Sequence, residues 1–445
     1  MTMGVRHADT LEVPLLTPAS VKDLTAPVTR ESAEYQNLSA KFLVQERTFN
    51  RQYASLYQAS VLRLSQAEEQ GAECIVVGTL YKQQPLKPSI LQEVSEEANL
   101  TPQPIREKFV DEEQDVLILE DEAQRTVLLG DLVKPGPFVT GPVVGVRGVA
   151  EEGGKFQVKE LIWPTPIPPP ERTETDKDLF VCLVSGLGLS GDETNLINFS
   201  LFKDRLAGLC GDQEESGRVV HLIIAGNSMS TSTHDRDAHK KAKYLTRNVA
   251  PSTLKGMQFL DSRLAELLPT LPVDIMPGDL DPANAMLPQQ PLHPAMFPSS
   301  SPWSSFRSVT NPHECTINEV HFLGTSGQNV RDISRYSTVE DPLVILESLL
   351  RWGHLAPTGP DTLPTYPFYH HDPFIIERAP HVFFAGNQSN FDTKLYTMPG
   401  GGDVRLISLP CFATTGTAVL VNLRNLEVQT LSFMDDVGIM DDQSD

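Results

Sequence analysis

One proline-rich stretch divides this chain into two hydrophobic patterns, and that division narrows the fold more than any other feature. Residues 164–177 read PTPIPPPERTETDK, with five prolines. Each proline fixes φ and removes a backbone donor, so the stretch reads as a stiff, extended linker between domains. Before it come short runs rich in Val, Ile, Leu and Thr: Cys74–Tyr81, Val116–Glu120, Arg125–Leu129, Val139–Val149 and Lys155–Ile162. Gly, Pro or acidic clusters separate them, and five such strands within about 90 residues predict a small closed barrel. After the linker, Leu179–Val184 and Val219–Ala225 are continuous apolar runs of the kind buried on both faces. Helical patterns at Leu196–Leu209, Leu254–Leu268 and Leu343–Leu350 intervene, the last with Asp341 as N-cap and Pro342 at N1. Further strands at Val273–Met276, Val320–Leu323, Val382–Ala385, Val404–Leu409 and Ala418–Leu423 predict a layered α/β domain.

The resulting organisation is a flexible leader at 1–38, a barrel domain at 39–163, the linker at 164–177, an α/β domain at 178–433 and an acidic tail at 434–445. Within the barrel domain, Phe49, Tyr53, Leu56, Tyr57, Val61 and Leu64 recur at helical spacing over Thr48–Glu68 and predict a helix packed on its own domain. Residues 83–114 form a long insertion. Over 93–122 there are eleven Asp or Glu against Arg106 and Lys108. A five-stranded OB barrel that grips single-stranded nucleic acid needs a basic groove with stacking aromatics, so this insertion argues against that use.

Charge and cysteine usage bound the function further. Lys and Arg total 36 against 58 Asp and Glu, a formal net charge of -22 over 445 residues. Such a chain is repelled by phosphate backbones unless its positive charge is concentrated in one place. The five cysteines lie far apart with no CxxC, which fits free thiols in a reducing, intracellular compartment. The apolar run Val219–Gly226 is among the longest, far short of a membrane span. The opening residues hold no apolar h-region, and Gly does not stand at position 2, which argues against secretion and myristoylation.

Several motifs imitate known chemistry. Gly186-Leu187-Gly188-Leu189-Ser190-Gly191 is a literal GxGxxG after a strand, but Asp192 and Glu193 put negative charge where a pyrophosphate would sit, so a glycine-rich turn is expected. Gly226-Asn227-Ser228-Met229-Ser230 lacks the final Gly of a serine elbow, and Gly324-Thr325-Ser326-Gly327 is followed by no clear helix. The His234–His239 and His370–Asp372 clusters read as solvated loops, and Lys240, Lys241, Lys243 and Arg247 as one exposed helix face.

Taken together, the strand-end segments VSGLGLSG, IIAGN, IMPGDLDPAN, FLGTSGQN and FFAGN resemble the calcineurin-like metallophosphoesterases. Active members of that family carry Asp-x-His, Gly-Asp, Gly-Asn-His-Asp/Glu and Gly-His-x-His at these turns and build a two-metal clamp. Here the corresponding positions are Gly186 and Gly188, Asn227, then Asp279, Leu280 and Asp281, and finally Asn387 and Ser389. The resemblance thus implies an OB barrel followed by a phosphoesterase-like layered β-sandwich whose metal ligands are lost, with no catalytic residue, no metal and no cofactor.

That architecture, with the strings FNRQYASLY, CIVVGTLYK, PLKPSILQEVSEE, KAKYLTRN, MPGDLDPANAMLPQQPLHPAMFP and TLPTYPFYHHDPFI, resembles the B-subunit family of eukaryotic replicative DNA polymerases, in particular its delta branch. The resemblance covers about residues 45–432. It implies a non-catalytic nuclear scaffold in DNA replication and repair. Its partners would be the cysteine-rich C-terminal module of the catalytic subunit of DNA polymerase delta, the N-terminal winged-helix region of the third subunit and the small fourth subunit. DNA would be met only through the complex, and no membrane is involved. Other classes stay open at this point: a residual metal-dependent phosphoesterase or nuclease, a single-strand-binding OB module, and a dinucleotide enzyme. In the low-charge segment Pro282–Pro302, Met286, Leu287, Leu292, Met296 and Phe297 are candidate partner contacts. The charge balance predicts that the isolated chain binds single-stranded DNA weakly. Micromolar or tighter affinity near physiological salt, with a steep salt dependence, would reveal a basic groove.

Overall fold

Two periodicities in the sequence become two bodies in the computed structural model, which describes residues 29–45, 73–87, 106–121, 124–172, 176–189, 193–230, 252–368 and 371–433. The expected helix over Thr48–Glu68, the centre of the acidic insertion, the basic run at Lys240–Arg247, the His234–His239 cluster, His370 and the tail lie outside the described residues.

A first short strand, β1 (Tyr35–Asn37), is followed by the barrel strands β2 (Glu73–Gln83), β3 (Val116–Glu120), β4 (Arg125–Leu129), β5 (Val143–Glu151) and β6 (Lys155–Ile162). These close in the order β2-β3-β4-β6-β5, with β4 and β6 parallel and the other pairs antiparallel. Period-two alternation sends Leu117 and Leu119, Val144 and Val146, and Phe156 and Val158 into one core with Leu80 and Leu128. The expected strand from Val139 starts four residues later, at Val143. Gly141 there takes φ +115°, and a Cβ on it would lie 1.7 Å from the Pro357 carbonyl oxygen, so this turn is one place where the barrel touches the second body.

The second body is a four-layer sandwich. One sheet runs β10-β9-β8-β7-β16-β17, from β7 (Phe180–Val184), β8 (Val219–Ala225), β9 (Val273–Met276), β10 (Phe306–Ser308), β16 (Thr417–Asn422) and β17 (Val428–Ser432). The other runs β1-β11-β12-β13-β15-β14, from β11 (His313–Ile317), β12 (Val320–Thr325), β13 (Val382–Gln388), β14 (Asp392–Thr397) and β15 (Asp403–Pro410). Strands β7 to β10 are mutually parallel, as are β12, β13 and β15. The run of β7 is apolar throughout because both faces are covered: Val181 and Leu183 face the opposite sheet, while Cys182 and Val184 face helices. The outer layers are α1 (Glu193–Leu206), the short α2 (Gln213–Gly217) and α3 (Ser252–Leu267) on one side, with α4 (Gln328–Tyr336) and α5 (Pro342–Trp352) on the other. Asp341 caps α5 by accepting from the Leu343 amide at 2.8 Å. The helix α4, directly after Ser326, departs from the sequence reading. It escapes an apolar-period search because Gln328, Asn329 and Asp332 on its inner face are buried polar residues.

The segment Pro282–Pro302 corrects one expectation. Leu287 belongs to the core under α4 and α5, and Leu292 and Phe297 to the core under α3. These three side chains are interior, and of the five candidates Met286 and Met296 stay half-buried. Six prolines rigidify an internal crossing here.

The two bodies meet at a buried ion pair. Lys82 in β2 and Asp115 are 3.4 Å apart with both side chains fully buried. The ammonium also donates to the carbonyls of Gly136 at 3.3 Å and Tyr336 at 2.9 Å, the latter at the C-terminus of α4, where a cation complements the helix dipole. Phe109 stacks on Tyr336 with centroids 5.1 Å apart beside this contact. Lys82→Met leaves Asp115 buried without its counter-charge and should cost about 3–5 kcal/mol. Adding Asp115→Asn should recover part of that loss. An unchanged melting midpoint for the single variant would sink this account of the joint.

Candidate functional site

Parallel strands bring their C-terminal ends to one edge of each sheet, and in open α/β sheets that edge is where ligands bind. Six turns meet there: Ser185–Gly188 after β7, Gly226–Ser228 after β8, Gly278–Asp281 after β9, Ser326–Gly327 after β12, Gly386–Ser389 at the end of β13, and Cys411–Phe412 after β15. The expected positions Gly186, Gly188, Asn227, Asp279, Leu280, Asp281, Asn387 and Ser389 all fall on these turns.

Direct hydrogen bonds stitch the turns to one another. The Gly186 amide donates to the Gly226 carbonyl at 2.9 Å and the Leu189 amide to the Ser228 carbonyl at 2.8 Å. Asn387 occupies the centre. Its backbone amide donates to Ser185 Oγ at 2.8 Å, and its side-chain Nδ2 donates to the carbonyls of Ser326 at 2.9 Å and Ala225 at 3.3 Å, one from each sheet. Ser185 Oγ in turn donates to the Pro410 carbonyl at 3.0 Å. Asn227 Oδ1 accepts from the Leu280 amide at 3.1 Å. Both asparagines hold left-handed backbone, φ 53° and 57°, a conformation Asn tolerates better than most residues. Gly186 has φ +65°, and a Cβ on it would sit 2.7 Å from both Asn387 Oδ1 and Cys411 Sγ. That close approach accounts for the glycine.

The remaining carboxylates are engaged as well. Asp279 pairs with Arg331 of α4. Asp281 is only 1% exposed and points back into the chain, accepting from the amides of Met229 at 3.0 Å and Gly278 at 2.9 Å. Ser389 is exposed, and Leu280 is half-buried. Of the serine-elbow imitations, Ser228 is fully buried, and Ser326 is held by Asn311 and Gln328. Asp372 bonds His354 at 2.8 Å.

A neutral network beneath the turns escapes sequence reasoning. Asn311 Nδ2 donates to Gln289 Oε1 at 2.8 Å, Ser326 Oγ at 2.9 Å and Gln328 Oε1 at 3.0 Å, and Gln289 Nε2 reaches the Gly278 carbonyl at 3.0 Å. No local signal marks it, because Gln289, Asn311 and Gln328 stand among Pro, Ser, Thr and Gly residues like those of any solvated loop.

Burial raises the Asp281 carboxyl to about 6, partly offset by the backbone amides it accepts from. A carboxyl whose folded pKa exceeds its unfolded value near 3.9 binds protons preferentially in the folded state. Its contribution is therefore fully present below about pH 4 and lost as pH rises through about 6. Relative to Asp281→Asn, the parent should gain roughly 2–3 kcal/mol of stability between pH 7 and pH 4. Parallel pH–melting curves for the two proteins test this, and curves that keep a constant separation would refute it.

Comparison with known proteins follows the same division of the chain. A family described as DNA polymerase delta subunit OB-fold domain matches residues 28–161, and the family of the B-type subunits of DNA polymerases alpha and epsilon matches residues 181–393. The DNA polymerase delta small subunit of Arabidopsis thaliana is 41% identical, over 91% of this chain and 96% of its own length. DNA polymerase delta subunit 2 of Drosophila melanogaster is 36% identical over 91% and 98%, and the small subunit of Saccharomyces cerevisiae 32% identical over 80% and 78%. Identity of that level, running through barrel and sandwich alike, means that this chain belongs to the family of DNA polymerase delta small subunits.

Proposed function

We propose that this chain is a non-catalytic accessory subunit of a nuclear DNA polymerase delta complex, serving replication and repair as a scaffold. The observation that carries the reading is the 32–41% identity with named small subunits over 80–91% of this chain. In this reading 39–163 is the OB domain, 164–177 the linker, and 178–433 a phosphoesterase-like domain whose site has lost its metal ligands. The chemistry of the strand-end turns supports that last point. A two-metal clamp needs anionic or imidazole donors converging on two ions about 3.5–4 Å apart. Here the turns offer amides and hydroxyls already spent on one another, one carboxylate paired with Arg331 and one turned into the backbone.

The proposed partners are the cysteine-rich C-terminal module of the catalytic subunit, the N-terminal winged-helix region of the third subunit and the small fourth subunit. A net charge of -22 favours protein partners with basic patches over direct contact with DNA. Met286 and Met296 are what remains of the contact proposed on Pro282–Pro302. Two measurements test the reading. Purified protein should show no manganese-dependent turnover of bis-p-nitrophenyl phosphate or single-stranded DNA, and turnover that survives repurification would contradict it. Co-expression with the catalytic subunit's C-terminal module or with the third subunit should give stable co-purification and new hydrogen-exchange protection in the sandwich. A free subunit that gains no protection from either partner at micromolar concentration would overturn the scaffold role.

A further inference from the structure

The helix α5 covers the outer face of the second sheet at β13, β14 and β15. Over β11 and β12 the cover is pieced together instead, from Leu38 and Lys41 of the N-terminal segment, Pro170 of the linker and residues 376–378. These pieces enclose a groove of about 330 Å³. Strand register sets its floor. Cys315, Ile317, Val320 and Phe322 point between the sheets, so their alternates Glu314, Thr316, His321 and Leu323 point outward into the groove. Glu314 stands opposite Leu323, and Thr316 opposite His321.

Part of the charge in this groove is committed to the fold. Glu314 Oε1 lies 2.8 Å from His321 Nε2, and its other oxygen pairs with Lys41 at 2.7 Å. Two further carboxylates on the walls, Glu319 and Glu377, are exposed and form no ion pair among the described residues. Arg378 reaches only the Pro168 carbonyl, at 3.5 Å. The lining therefore sets three carboxylates against two cations, over an apolar floor of Leu38, Leu323 and Ile376.

Glu319 stands out on backbone grounds as well. Ile317 pairs with Val320, which leaves Asn318 and Glu319 alone in the hairpin turn, both in left-handed backbone with φ 50° and 65°. Two-residue turns of this kind favour Asn followed by Gly. Asparagine fits its position, but a glutamate is strained where a glycine would be relaxed. The turn supplies no reason for a carboxylate at its tip, whereas the groove beside it does.

We propose that this groove docks a short basic segment of a partner protein. One aliphatic side chain of that segment lies on Leu38, Leu323 and Ile376, and flanking Lys or Arg residues meet Glu319 and Glu377. The floor supplies apolar burial, and the two carboxylates select the sign of the partner. Exposed Ile167 and Ile375 continue the apolar surface past the groove, since the Ile167 amide bonds the Glu377 carbonyl at 3.0 Å and Ile375 adjoins Ile376. A net charge of -22 draws a basic segment in from a distance and disfavours a second copy of this chain. The groove is complete within this chain, so the proposal stands apart from the polymerase reading and is tested without any other subunit.

Random dodecapeptides displayed on phage and selected on the purified full chain are the probe. Enriched sequences should carry Leu or Ile flanked by Lys or Arg, and synthetic copies should bind less tightly as salt rises. Glu319→Lys combined with Glu377→Lys, both at exposed positions, should weaken that binding about tenfold. Glu319→Gly removes the strain together with the carboxylate, so its melting midpoint should rise while its affinity for the peptides falls. A Glu319 that serves only the turn would move the first readout and not the second. Selection that enriches no peptide, or only acidic and uncharged ones, overturns the proposal, as do basic peptides whose binding ignores these substitutions.

Discussion

Every buried backbone group in this molecule has to find a partner, and the strand ends are where that demand is hardest to meet. Six parallel strands stop abruptly at one edge, leaving amides and carbonyls aimed at the same small space. A metal or a bound phosphate can meet such a demand. In this chain the side chains of Asn387, Ser185, Asn227 and Asp281 hydrogen-bond those groups. The rest of the sandwich depends on that closure, because the turns that carry it also fix where α4 begins and how the two sheets are held at this edge.

The barrel is tied to the sandwich by a different logic. A lysine and an aspartate removed from water contribute little net stability, since desolvation opposes their attraction. What the Lys82–Asp115 pair supplies is position. Its ammonium must reach two carbonyls as well as the carboxylate, and one of those carbonyls ends α4. An apolar contact would tolerate sliding, whereas this one accepts a single register. The stacking of Phe109 on Tyr336 and the tight approach of Gly141 to Pro357 agree on the same register.

Much of this was legible in the sequence, for physical reasons that differ by element. Buried strands such as β7 and β8 announce themselves because both faces are apolar, and α5 because Asp341 and Pro342 mark its start. The barrel strands followed from short runs rich in Val, Ile, Leu and Thr, set apart by Gly, Pro or acidic clusters. What escaped was polar and interior. α4 hides three polar residues on its inner face, and the amide network of Gln289, Asn311 and Gln328 looks like ordinary loop composition. The reverse error occurred at Pro282–Pro302, where prolines and low charge suggested an outer surface although Leu287, Leu292 and Phe297 fill two cores. Composition reports what a segment contains, not which way it faces. The strand-end positions themselves were found by resemblance of short strings, and nothing in local pattern foretold that they would bond to one another.

The proline-rich stretch between the bodies carries a mechanical consequence. It is extended, as five prolines require, but it does not hang free. Ile167 exchanges backbone hydrogen bonds with Glu377 and Ala379, and the Pro170 carbonyl meets His381 Nε2 at 2.9 Å. Bonded in this way to the sandwich, it acts as a splint and not as a tether. The chain thus leaves the barrel along the surface of the sandwich, so the path between the two bodies is itself part of the sandwich's hydrogen bonding.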